Sequence, residues 1–117
     1  MSERRVVITG LGPVTPIGIG VEAVWGSVRE GRSGIRRITH FDPSPFRSQI
    51  AGEVTGFDAT AYMDARRAKR LDRYSQFAVA AAHLAVRDAG LKLEAMDRER
   101  MGVCIGSALG GVAFARH

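Results

Sequence analysis

Residues 5–20 read RVVITGLGPVTPIGIG, and the fold turns on how this stretch is taken. Val6, Val7 and Ile8 form an unbroken apolar run, which suits a strand covered on both faces better than one with a wet side. Gly10 and Gly12 end it, letting the backbone turn or approach a neighbour without a Cβ in the way. The arrangement returns as Val103, Cys104 and Ile105 followed by Gly106, Ser107, Ala108, Leu109, Gly110 and Gly111. Two strand-then-glycine units with helical sequence between them predict an α/β chain with one parallel sheet.

The 117 residues, 45% apolar and 25% charged, suit one soluble domain without an internal boundary. No apolar run approaches the roughly 20 residues of a membrane span, and MSERRVVITG is too weakly apolar for a signal peptide, so the chain reads as cytoplasmic with no membrane partner. One cysteine forms no intrachain disulfide, and no Cys/His cluster has zinc spacing, so neither metal nor cofactor is expected. The net charge of +5 is concentrated. Residues 64–73 hold five basic and two acidic side chains and carry +3 of it.

Pro13, Pro16 and Gly18 predict a loop after the first strand. Val21, Val24, Trp25 and Val28 then mark one helical stripe that ends at Gly31. In a dinucleotide-binding unit the glycines lead straight into a helix whose N-terminus holds the pyrophosphate. Here a proline-bearing loop intervenes, so GLG is a poor signal for a nucleotide-binding α/β module, and no Gly-Lys-Ser/Thr marks a P-loop. Residues 31–60 are turn-rich, with a short edge strand expected over 50–54 and His40 at the surface or packing a loop. Thr60 is placed to cap a short helix running into 65–70, and Asp72 to start a longer one reaching about Ala89, with Gly90 as its stop. Residues 77–86 are apolar nearly all round, which predicts burial on more than one side, with His83 a hydrogen-bonded packing residue. Cys104 lies in an apolar strand rather than at a sharp turn or helix start, so it reads as a buried small hydrophobe and not a nucleophile.

Four pieces, RRVVITGLGPVTPIG, GRSGIRRITHFD, RRAKRLDRYSQFAVAAAHLAVRDAGL and GVCIGSALGG, together resemble in order the N-terminal part of the β-ketoacyl-[acyl-carrier-protein] synthases of the condensing-enzyme II type. The resemblance implies a thiolase-like, layered α/β/α fold, of which residues 1–117 supply the first portion of the N-terminal half. It implies an enzyme that joins an acyl group to malonyl on acyl carrier protein and releases carbon dioxide, using a cysteine thioester, two histidines and an oxyanion hole. None of those catalytic residues matches a position here, and Cys104 occupies an ordinary strand position. A homodimer is implied, and a non-catalytic partner of the chain-length-determining kind shares the fold.

Two carry-overs follow residue by residue. Arg66, Lys69 and Arg70 match the basic positions that dock the acidic carrier protein, and Arg67 adds a charge. Leu109 matches the residue that gates or lines the acyl-chain pocket, against a reading of plain core packing. Nucleic acid is the rival partner of a basic face, but no interleaved aromatic platform supports it. The chain is expected to be incomplete, with residues 112–117 opening a return helix, and a half-built sheet would leave it marginal, oligomeric or aggregating.

Overall fold

In the computed structural model, which describes residues 3–111, Pro13–Asp58 forms one unit, and among the described residues 3–12 join 59–111 in a second. In the first, Val14–Thr15 (β1) pairs antiparallel with Gly18–Ile19 (β2) across Pro16 and Ile17. The turn holds itself. Thr15 Oγ1 donates to the Gly18 carbonyl at 2.9 Å and accepts from Ile17 N at 3.3 Å, while proline presets the bend. Strands of two residues are too short to show alternation, so the sequence pattern predicts only a loop here.

The first helix, Val21–Arg29 (α1), begins where expected and stops at Glu30 and Gly31, whose φ of 64° is the left-handed value that favours glycine. Its stripe is only partly covered. Val21 and Val24 are half-buried, whereas Trp25 is 61% exposed and Val28 lies open. The buried residue is Ser27, 3% exposed, whose hydroxyl donates to the Ile17 carbonyl at 2.7 Å. Burial without that bond would carry a desolvation penalty of about 1–3 kcal/mol.

Ile35–Arg37 (β3) then pairs antiparallel with Ile50–Gly52 (β4), Arg36 standing opposite Ala51. The second of these strands was anticipated; two arginines concealed the first. Beyond β4, Glu53 ties down the corner after β3, accepting from Thr39 Oγ1 at 2.7 Å, Thr39 N at 3.0 Å and His40 N at 3.2 Å. His40 lies at the surface, with its Nε2 3.8 Å from Glu53. The Thr39 hydroxyl and then the Thr39 N–H hold the Glu53 carboxyl below the ordinary glutamate value; partial burial opposes them, and His40 adds to them through its N–H and its charge. Because the folded value is the depressed one, this stabilisation is present above the unfolded glutamate value of about 4.3 and is lost as pH falls through the lower folded value. In an NMR titration the Thr39 and His40 amides should therefore shift together at acid pH below that of an unfolded glutamate, and Glu53→Gln should abolish the shared transition.

In the second unit the capping carboxylates fall where short polar side chains satisfy helix N-termini. Asp64, not Thr60, caps Ala65–Arg70 (α2), accepting Arg67 N at 2.8 Å, and Thr60 lies in a 3₁₀ turn at Ala59–Ala61. Asp72 caps Arg73–Asp88 (α3) through Ser75 N at 3.0 Å, and the helix closes at Ala89 and Gly90 as expected. Ala80 and Leu84 are its buried positions, one turn apart, and together with Ala68 they form the apolar core among the described residues. His83 is on the open side of α3, without a hydrogen-bond partner among the described residues, rather than a bonded packing residue.

The glycine segment meets α3 directly. A Cβ on Gly12 would lie 1.9 Å from the Ala81 carbonyl oxygen, and one on Gly10 would lie 2.4 Å from that of Ala85. Between them, Leu11 N donates to Asp88 Oδ2 at 2.9 Å. Small residues on both sides let two backbones touch, the close approach that Gly10 and Gly12 permit.

The expected parallel sheet is not formed among the described residues. Residues 6–8 and 103–105 share no ladder, with each other or with another described segment, and Val6 is 93% and Val103 88% exposed. Cys104 is exposed as well, not buried. An apolar run reports that a segment requires cover; it does not say which strand supplies it. The return helix expected over 112–117 lies outside the described residues.

Candidate functional site

The densest charge is on α2. Arg66, Lys69 and Arg70 stand at i, i+3 and i+4, so one helical face presents all three, with Arg67 about a quarter-turn away. Ala68 is buried on the opposite side, and the four cations are exposed. None of them forms an ion pair with a carboxylate among the described residues. Their position at the end of a short helix also complements the partial negative charge of its free carbonyls.

A six-residue helix is marginal alone, and its neighbours fix this one. Asp64 closes the N-terminal end. At the other end Gln76 of α3 donates through Nε2 to the Ala68 carbonyl at 2.8 Å and to the Leu71 carbonyl at 3.1 Å. Sequence reasoning missed Gln76 as the residue that positions the basic face; its signal is an amide beside an otherwise apolar helical run. Arg73, at the start of α3, lies over the Phe77 ring at 5.0 Å, a cation–π contact.

The second glycine segment reaches the same place. Ser107 Oγ accepts Gly110 N at 3.0 Å, Gly110 takes a φ of 58°, and Gly111 runs so close to Asp72 that an added Cβ would lie 2.0 Å from Oδ2. Arg67, Leu71, Tyr74, Val79, Ile105 and Ser107 thereby line one open, mainly apolar groove of about 390 Å³ beside the basic helix. Leu109 lies two residues beyond Ser107 and is 80% exposed. The structure thus places Leu109 and the α2 cations in one unit, with the leucine uncovered by the other described residues.

The first glycine pair faces a helix side, not a helix start. Gly10 and Gly12 are occupied by the backbone of α3, which leaves no room there for a pyrophosphate. Among the described residues no group of three or more His, Cys, Asp or Glu side chains is placed to hold a metal, and no helix is long and apolar enough to cross a membrane.

Comparison with known proteins places this geometry. The family described as "Beta-ketoacyl synthase, N-terminal domain" matches residues 3–116. The chain is 44% identical over 112 residues to the 3-oxoacyl-[acyl-carrier-protein] synthase 2 of Synechocystis, covering 96% of this chain and 27% of that protein; the Vibrio harveyi protein of the same name gives the same figures. The chain therefore spans about a quarter of the length of the curated relatives it matches. Among solved structures, the ishigamide ketosynthase/chain length factor superposes with a TM-score of 0.73 at 43% identity over 80% of this chain and 23% of that one. A type II polyketide ketosynthase bound to the hexaketide, in complex with its acyl-carrier protein, superposes with a TM-score of 0.63 at 35% identity over 83% of this chain and 22% of that one. The fold is accordingly the α/β, thiolase-like fold of the ketosynthases, and the chain belongs to the β-ketoacyl synthase family, matching its N-terminal domain.

Proposed function

We propose that residues 1–117 act as the N-terminal portion of the ketosynthase domain of a cytoplasmic, homodimeric 3-oxoacyl-[acyl-carrier-protein] synthase. The whole protein condenses an acyl thioester with malonyl-acyl carrier protein, with loss of carbon dioxide, in fatty acid or polyketide synthesis. This portion receives the carrier and contributes Leu109 to the acyl pocket; it holds none of the catalytic residues. The observation that carries the reading is the exposed face of Arg66, Lys69 and Arg70, held by Asp64 and Gln76 and without carboxylate partners among the described residues. Such a face attracts and orients an acidic protein. One structural relative is a ketosynthase complexed with its carrier protein, which supports the same partner here.

A salt titration tests it. Acyl carrier protein should bind this chain reversibly, and affinity should fall on the order of tenfold between 0.01 and 0.15 M ionic strength, as the Debye length shrinks from about 30 to 8 Å. Affinity indifferent to salt would contradict docking through α2. A second reading, a non-catalytic partner of the chain-length-factor kind, is favoured by the relative whose description names both a ketosynthase and a chain length factor. The two share the docking face and differ in whether the whole protein carries the cysteine and two histidines.

A further inference from the structure

A second basic site lies in the Pro13–Asp58 unit, apart from the carrier face. The β1–β2 turn, the segment after α1, β3 and the chain beyond β4 border an open groove of about 260 Å³, lined among others by Thr15, Gly18, Arg32, Ser33, Arg36 and Thr55. Two arginines and three hydroxyl-bearing residues line a space larger than the few water volumes a bare tetrahedral anion occupies. We infer that this groove binds a phosphate monoester, with Arg36 and Arg32 on the phosphate oxygens and a small organic substituent against Pro16 and Ile17.

The donors are arranged for this. Arg36 has no carboxylate or amide partner among the described residues, whereas its neighbour Arg37, on the other face of β3, donates to Gln49 Oε1. Ser33 Oγ accepts Ile35 N at 3.2 Å, which leaves its hydroxyl proton to donate. Thr15 is spent on its own turn and only shapes the wall. Arg32 donates to Glu30, so an incoming anion shares that guanidinium. A phosphate, with three peripheral oxygens, can engage two planar forks and a hydroxyl at once, whereas a carboxylate has two oxygens to offer.

Titration of the chain with inorganic phosphate and with phenyl phosphate, followed by amide NMR and calorimetry, decides the matter. Saturable binding on the order of 1 mM is expected, with the Ser33, Arg36 and Thr55 amides moving in the unsubstituted chain. Arg36→Gln should weaken it at least about tenfold, and Arg37→Gln, across the strand, less than about twofold. Absence of saturation well above that concentration, equal binding of acetate, or equal losses in the two variants would overturn the assignment. The amide shifts of the unsubstituted chain keep the test decisive if Arg36→Gln fails to fold.

Discussion

Gly12→Ala should destabilise the fold by about 3 kcal/mol, the upper part of the range for inserting atoms into a closed contact. The new methyl would sit 1.9 Å from the Ala81 carbonyl oxygen and 2.7 Å from Ala85 N, and both are helix backbone, not the yielding end of a long side chain. Gly12 takes no left-handed torsion, so the loss comes from its neighbour and not from its own backbone. Relief requires α3 to move away from the glycine segment, breaking the Leu11–Asp88 hydrogen bond as well. Gly26→Ala in α1 is the matched control: nothing lies within 4 Å of the added atom, and about 1 kcal/mol of stabilisation is expected from helix propensity. Urea midpoints of the two variants should thus move in opposite directions. Equal midpoints would mean that residues 10–12 do not rest on α3.

Reversing charge at Arg66, Lys69 and Arg70 together, each to Glu, should weaken acyl carrier protein binding about a hundredfold at low salt. Single exposed ion pairs contribute only about 0.2–1 kcal/mol. Three lost attractions replaced by three repulsions add up to about 3 kcal/mol, which is that factor. The reduction should appear largely in the association rate and should shrink as salt is added, because the face steers more than it grips. Since the three side chains are exposed and Ala68 alone faces inward, far-ultraviolet circular dichroism of the variant should match that of the original chain. Unchanged affinity at low ionic strength would refute carrier docking on this face.

What could be read from residue patterns depended on range. Helices α1 and α3 declared themselves through local chemistry: an apolar repeat with Gly31 behind it, and Asp72 and Gly90 at the two ends of an alanine-rich run. The cap of α2 was misassigned because Thr60 and Asp64 are both competent acceptors, and the choice rests on which residues the preceding 3₁₀ turn consumes. The β1–β2 hairpin and β3 are too short for periodicity, and β3 carries two arginines. For 6–8 and 103–105, composition announced a need for cover without naming a partner. The cations of α2 were legible through spacing and family likeness, whereas the support from Gln76 was not, because its two acceptors are carbonyls that any sequence possesses.

The Ser27 hydroxyl has a bearing on how the Pro13–Asp58 unit comes apart. It spans ten positions to cap a carbonyl at the tip of the β1–β2 hairpin, from the interior of α1. Fraying of the helix therefore strands an acceptor in the hairpin, and loosening of the hairpin strands a donor in the helix. Neither should melt by itself, and slow hydrogen exchange ought to register residues 14–29 as a single cooperative foldon.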